Sequence, residues 1–318
     1  MKIKLSIIIP TFNREQVLCD TINSVLYEIK QCSYSDECEL IIIDQTKEHT
    51  LSIAEYIKDI SLKSFVKYVY ESYANLPHAR NVGLKYAKGD IICFLDDDIK
   101  LHDGFLDRLM DRYEDKQIMS VVGLPILVNQ DGENILLDSQ GKVKKLLRIF
   151  LANIFCRNKA SVITSIGLLL NNREHSRAKI AEDGRGCCMS FRKCVFDMIG
   201  LFDINYVGNA LREETDIFFR MKKYRLCVFF DPDLVLDHIM ANDGGCRNHK
   251  KEKYWQLYFD NQFYFFLKNY AFPKWYIKLL LLFDIITLKR NGLNVNIIIN
   301  NSFERAKSLL NIDNNNYK

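Results

Sequence analysis

Residues 90–100 read DIICFLDDDIK. An apolar run, Ile91 to Leu95, leads straight into Asp96, Asp97 and Asp98. A short continuous apolar run bounded by polar residues fits a strand buried on both faces, as in a parallel sheet. Three adjacent carboxylates repel one another, and this raises their pKa values unless positive charge sits among them. A polar loop after a strand would account for two such acids more readily than for three. The first reading is therefore a buried strand that ends where a cation or a cationic ligand binds.

The segments on either side extend that reading. Upstream, KLSIIIP (residues 4–10) and CELIIID (38–44) are two more buried strands, and FVKYVYE (65–71) is a third. Between them EQVLCDTINSVLYEI (15–29) carries Val17, Leu18, Ile22, Val25 and Leu26 at helical spacing, and SIAEYIKDI (52–60) and LPHARNVGLKYAKGD (76–90) also read as helices. Strand and helix thus alternate four times, which predicts an open, mostly parallel sheet flanked by helices. In such α/β sheets ligands sit at the carboxyl ends of the strands. Pro10, Asp44 and Asp96–Asp98 all fall at such ends, so separate segments can converge on one crevice.

Downstream the alternation weakens. MSVVGLPILV (119–128) reads as a strand; residues 139–180 are basic and irregular, with KVKKLLRIFLANIF (142–155) as an amphipathic helix. GCCMSFRKCVFDMIGLFD (186–203) reads as strand then short helix, and EETDIFFRMKKY (213–224) as a helix with acids in its first turn, where they suit the helix dipole. RLCVFFDPDLVLDHI (225–239) reads as strand and turn, and the chain from Tyr254 as an aromatic, helical tail with a frayed end.

Composition excludes some classes. The chain has 318 residues, 48% hydrophobic and 26% charged, with a formal net charge of +4. That charge is no nucleic-acid signature, but it suits an anionic ligand or an acidic membrane surface. Ten cysteines show no C-x-x-C pair and no regular framework, which reads as reduced, mostly buried thiols in a cytoplasmic protein. The N-terminal apolar run is too short for a signal peptide. WYIKLLLLFDIITL (275–288) contains Lys278 and Asp284 and falls short of the roughly 20 apolar residues a spanning helix needs. Neither GxGxxG nor GxxxxGK[ST] occurs, which weighs against dinucleotide dehydrogenases and P-loop NTPases.

What the chain does contain is an ordered set: SIIIPTFNR, IIIDQT, ARNVGLKYAKGDIICFLDDD, GCCMSFRKCVF, REETDIFFRMKK and DPDLVLDH. In content and order, from residue 4 to about residue 248, this set resembles the family 2 glycosyltransferases of the GT-A fold. The resemblance implies an inverting sugar transfer from a nucleotide-sugar donor, a UDP-sugar first, to a glycan or lipid-linked acceptor, of the kind used in surface polysaccharide biosynthesis. It implies a divalent cation, Mg²⁺ or Mn²⁺, held by Asp98 and His238, with Asp96 and Asp97 near the ribose or the donor sugar. Hard carboxylate oxygens suit either ion, and the ion would neutralise the leaving diphosphate.

By the same resemblance Pro10, Thr11, Asp44 and Arg80 line the nucleotide pocket. Gln45 stands where many members carry a second acid, which leaves the base open, since an amide both donates and accepts. Asn13 and Arg14 either join that pocket or cap the first helix. The family pattern Glu-Asp-x-Asp matches the segment of Glu213, Glu214 and Asp216; its second acid, the usual catalytic base, is Glu214 here, with Glu213 and Asp216 as the alternates and one of the acids capping the helix. Arg247, in GGCRN (244–248), either closes over the diphosphate, as that region does in the family, or sits on an ordinary surface loop.

The implied organisation is a catalytic domain over 1–250, with a nucleotide-binding half (1–100) and an acceptor half (101–250), followed by a helical extension over 251–318. That extension either packs as core or lies on the inner face of the cell membrane, apolar residues inward and lysines at the headgroups. Two rivals are a sugar nucleotidyltransferase, which would want a glycine-rich phosphate loop that PTFNREQ lacks, and a non-catalytic binding protein on the same scaffold.

Overall fold

The structure is a computed structural model and describes residues 2–129, 133–134, 150–173, 177, 179–239 and 251–311. The strands are β1 (Leu5–Thr11), β2 (Cys38–Asp44), β3 (Val66–Tyr70), β4 (Ile91–Leu95), β5 (Ile99–Leu101), β6 (Ile118–Val128), β7 (Ser161–Ile163), β8 (Leu169–Asn171), β9 (Cys188–Arg192) and β10 (Cys227–Ile239). The helices are α1 (Gln16–Gln31), α2 (Leu51–Ser61), α3 (Leu76–Tyr86), α4 (Phe105–Arg112), α5 (Cys194–Ile199), α6 (Glu213–Lys223), α7 (Lys251–Tyr270), α8 (Lys274–Leu280), α9 (Leu282–Arg290) and α10 (Val295–Leu309).

Eight strands form one sheet in the order β3-β2-β1-β4-β9-β6-β10-β5. The β3-β2-β1-β4 half is parallel throughout, and β6 pairs parallel with β10. β9 lies antiparallel between β4 and β6 and joins the halves, while β5 runs antiparallel on β10. The expected open, mostly parallel GT-A sheet flanked by helices is thus present, with helices α7–α10 following it.

Alternation explains why the strands read as unbroken apolar runs. In β1, Leu5, Ile7 and Ile9 pack with Leu18, Ile22 and Val25 of α1, whereas Ile8 packs on the other face with Ala79 and Val82 of α3. β4 divides likewise: Ile91, Cys93 and Leu95 face one cluster, Ile92 and Phe94 the other. Both faces are covered, so nearly every position is apolar, and the buried exceptions Ser6 and Glu39 hydrogen-bond to each other at 2.6 Å. Helix α3 lies so close to the sheet that a Cβ at Gly83 would stand 2.5 Å from Ile8 Cγ2.

The sequence reading has no counterpart for β5, whose three residues follow directly on the acids. It also missed the β7–β8 hairpin, which occupies part of the stretch read as irregular. The proposed helix over 142–155 is helical from residue 150 to 155, where Ala152 and Cys156 pack on Leu170; residues 142–149 lie outside the described residues. The stretch read as strand and turn is one long strand from Cys227 to Ile239, with register shifts between Cys227 and Val228 and between Phe230 and Val235, the second spanning Pro232.

The tail forms a third core. Phe259, Phe263, Phe265 and Phe266 of α7 pack with Ile277, Leu281, Leu288, Ile298 and Phe303, and with Tyr206 and Ala210 from the segment that leads into α6. Asn261 fastens this core to that segment: its Nδ2 donates to the Val207 carbonyl at 2.9 Å and its Oδ1 accepts from Val207 N at 3.0 Å. Of nine described cysteines seven are buried, and all nine are free thiols. No helix among the described residues is long and apolar enough to cross a membrane.

Candidate active site

The three acids sit in the short link between β4 and β5. Thr21 of α1 clamps that link: its hydroxyl contacts the carbonyls of Asp97 and Ile99 at 3.0 and 2.9 Å and accepts from Ile99 N at 3.0 Å. β5 pairs Ile99 with His238 at the end of β10, and Ile239 N donates to the Asp98 carbonyl at 2.7 Å. The overlooked strand is therefore what carries His238 to the acids. His238 Nε2 lies 3.0 Å from Asp98 Oδ1.

Each acid has a cation beside it. Arg14 pairs with Asp98 at 3.0 Å and with Asp97 at 3.4 Å, and Asp97 also accepts from the Thr11 hydroxyl at 2.7 Å. Arg80 reaches Asp96 at 3.4 Å, pairs with Glu213, and donates to the Gly186 carbonyl at 3.3 Å. A Cβ at Gly186 would stand 2.7 Å from Arg80 Nη2, so only glycine leaves the guanidinium its place. Burial and the Asp98 charge nevertheless push Asp97 up to about 7, against the lowering effect of Arg14 and Thr11. Burial also raises Asp96, with Arg80 and His238 opposing. For His238 burial acts downward, but hydrogen bonds to Asp98 and Cys187 outweigh it and lift the imidazole to about 11.

Asp96, Asp98 and His238 can place one ligand atom each within 4.8 Å of one another, two carboxylate oxygens and an imidazole nitrogen. This donor set fits a small divalent cation, and the nitrogen favours Mn²⁺ over Mg²⁺. Asp96 and Asp98 thus converge across the turn between β4 and β5 and not by strand alternation, since the strand ends at Leu95.

The acids of α6 point three ways, as successive positions on a first turn must. Glu213 is buried against Arg80. Asp216 is buried on the side of the tail, where it pairs with Arg220 at 3.1 Å and Lys268 at 2.9 Å and accepts from Tyr206 and Asn269 at 3.2 and 3.0 Å. Glu214, half-buried, faces the cleft, and among the described residues no cation pairs with it. Burial, reinforced by the charge of Asp183, pushes Glu214 up to about 7.

These groups surround a cleft of about 480 Å³. Of the residues read from sequence, Pro10, Thr11, Gln45, Arg80, Asp96, Asp97, Asp98, Glu213, Glu214 and His238 line it. Asp44 lies behind the wall, fully buried: its carboxylate accepts from Thr46 N at 2.7 Å and Tyr68 OH at 2.8 Å and meets His49 Nε2 at 2.7 Å. Gln45, next in sequence, faces the cleft and donates to the Tyr73 and Asn75 carbonyls. Asn13 is exposed at φ 52° on the turn before α1, its N–H bonded to Thr46 Oγ1 at 2.8 Å. Arg247 lies outside the described residues.

Sequence reasoning left Arg14 divided between pocket and helix cap; it is buried in the acid cluster. It missed Cys187, at the back of the cleft, and Arg185, Asn209 and Leu211 along its wall. The arginine carried a usable signal: three acids require nearby cations, and Arg14 stands directly after the strand that neighbours theirs.

Comparison with known proteins agrees with this geometry. The family model described as glycosyl transferase family 2 matches residues 6–177. Over 120 residues the chain is 33% identical to the poly(ribitol-phosphate) beta-N-acetylglucosaminyltransferase TarP of Staphylococcus aureus, spanning 38% of this chain and 36% of that protein. Over 111 residues it is 33% identical to the GalNAc(5)-diNAcBac-PP-undecaprenol beta-1,3-glucosyltransferase of Campylobacter jejuni, spanning 34% of each. It therefore aligns with only about a third of the length of these relatives. A mannosyltransferase from Pyrobaculum calidifontis, solved with GDP-Man and Mn²⁺, superposes with a TM-score of 0.54 at 14% identity, over 98% of this chain and 75% of that one. Residues 1–349 of S. aureus TarS, solved with UDP-GlcNAc, give 0.53 at 14% identity, over 82% and 66%. With more than half of its length matched by the family model, and with the GT-A sheet in place, the chain belongs to glycosyl transferase family 2.

Proposed function

We propose that this chain is an inverting transferase that moves a sugar from a nucleoside diphosphate, a UDP-sugar first, to a hydroxyl of a glycan or lipid-linked acceptor in polysaccharide assembly. One observation carries the reading. Among the three acids of α6, Glu214 alone faces the cleft without a cation, and its pKa is pushed up to about 7. A carboxylate tuned to neutrality suits a general base.

Glu214 would take the proton from the acceptor hydroxyl as the acceptor oxygen attacks the anomeric carbon. The bond from that carbon to the diphosphate then breaks, and its electron pair leaves on the diphosphate oxygen. Glu213 cannot serve while Arg80 holds it, and Asp216 faces the tail. Pro10, Thr11 and Gln45 offer backbone and amide groups to the nucleoside, with Asp44 fixing the strand-end turn that presents Gln45. Asp96, Asp98 and His238 would hold the divalent cation, whose contribution when bound is to offset the charge of the departing diphosphate. The N-terminal 250 residues would supply this machinery, and the helices after them would hold α6 in place through Lys268 and Asn261.

The test is cleavage of the donor. The protein with Mn²⁺ and a panel of nucleotide sugars should be stabilised thermally by one donor and should release its sugar slowly to water. Stabilisation by UDP with no cleavage of any donor, even with candidate acceptors present, would leave a binding protein and end the reading.

A further inference from the structure

The helices α8 and α9 act almost as one. Leu281 N donates to the Ile277 carbonyl at 3.0 Å and Ile285 N to the Leu281 carbonyl at 2.9 Å, so helical bonding runs through the junction. Ile277, Leu281 and Leu288 point into the third core. The opposite side carries Trp275 (66% exposed), Leu279 (57%), Leu282 (46%), Phe283 (37%) and Ile286 (39%). At 3.6 residues per turn these five fall within an arc of roughly 100° and a length of about 16 Å. Lys278 and Lys289 border the arc along one side, and Arg290 closes it at its C-terminal end; all three are exposed. The single acid of this stretch, Asp284, is half-buried and engages Tyr258 on α7.

We propose that this face is a membrane-docking surface for anionic phospholipid: α8 and α9 lie in the interface plane, with the five apolar side chains among the acyl chains and Lys278, Lys289 and Arg290 at the headgroups. An apolar stripe flanked by cations, too short to span, is the form such interfacial helices take. Charge selects this occupant over a second copy of the chain. A symmetric pairing through the stripe would bring its cations together with no exposed acid on α8 or α9 to offset them. An anionic lipid surface offsets all of them. The proposal does not rest on the sugar-transfer reading, since binding to vesicles needs no turnover.

The experiment is sedimentation of the full-length protein with vesicles. With phosphatidylcholine containing phosphatidylglycerol, the wild type should pellet, release on raising the salt, and shift Trp275 emission to the blue, with Trp275→Phe reporting the remaining Trp255 signal. With pure phosphatidylcholine, binding should weaken many-fold. Lys278→Gln, Lys289→Gln and Arg290→Gln should each cost roughly fivefold in partitioning. Leu279→Gln with Ile286→Gln should abolish binding while thermal unfolding stays cooperative; should that double variant not fold, the salt and emission readouts on the wild type decide alone. A wild type that stays in solution with anionic vesicles overturns the proposal. So does a concentration-dependent dimer that Trp275→Glu converts to monomer.

Discussion

The link between β4 and β5 and the first turn of α6 border one cleft, and their acids are neutralised differently. At Asp96–Asp98 every carboxylate has a cation at hand: Arg80, Arg14 and His238. On α6, Glu213 and Asp216 are each held by arginine or lysine, whereas Glu214 has no ion-pair partner among the described residues, and burial and the like charge of Asp183 outweigh the nearby Arg80. The first cluster gathers its acids around a point where ligand atoms converge. The second separates them, two for structure and one for the cleft. Counting acids in a motif therefore says little about their work; what distinguishes them is which have been given a cation.

The sharpest way to break this comparison is at Glu214. Glu214→Gln should lower kcat by about 10²–10⁴-fold and leave donor affinity nearly unchanged. Wild-type kcat should climb as pH rises through about 7, because the base must be ionised, and that limb should vanish in the variant. The same shift has a stability sign. A carboxyl whose folded pKa lies above its unfolded value of 4.5 contributes stability that is full below pH 4.5 and lost as pH rises through about 7. At pH 8 Glu214→Gln should thus be more stable than wild type, by at most about 1–3 kcal/mol, and unfold at a higher temperature. Equal turnover in the two proteins would show that the uncompensated acid is not the base.

Next is the first cluster. Asp98→Asn should weaken Mn²⁺ binding by about 100-fold or more, since loss of a mere supporting group already costs about 10–100-fold. Mn²⁺ affinity of the wild type should rise with pH, as His238 must give up its proton to become a ligand. Calorimetry with Mn²⁺ and UDP together reads both effects, and Mn²⁺-dependent UDP binding unchanged in Asp98→Asn contradicts the assignment.

Asp216→Asn should act on stability instead, lowering it by about 2–4 kcal/mol because Lys268 and Arg220 lose a buried partner. Its kcat per folded molecule should stay within a few-fold of wild type. A dead but fully stable Asp216→Asn would reverse the roles drawn for α6. The smallest effect is expected at Gln45: Gln45→Ala should weaken UDP binding a few-fold, with Mn²⁺ affinity untouched, and an unchanged UDP affinity in titration would remove Gln45 from the nucleoside pocket.

Much of this was legible from residues alone. Strands buried on both faces announce themselves as apolar runs, and β1, β2 and β4 were read close to their bounds. Strand β5 was not, since three residues carry no period and its existence depends on the end of β10 for pairing. Nor was the fate of Asp44: a lone acid at a strand end looks the same whether it meets a base or a tyrosine and a histidine. The partners that sort α6 come from α3 (Arg80) and α7 (Lys268), far along the chain, so the motif named the acids but not their division of labour.

The placement of β9 has a consequence for how the chain is made. β9 pairs Leu95 with Cys188 and Val122 with Met189, so the middle of the sheet stays open until that stretch has left the ribosome. Until then β4 presents a bare apolar edge, the kind of surface on which nascent chains associate wrongly. The cleft wall at Gly186 and Cys187 and the cleft-facing Glu214 of α6 come still later or at the same moment. A fragment ending before residue 186 would thus carry every acid of the first cluster and yet have no site, and it would be a substrate for chaperones before it could be a transferase.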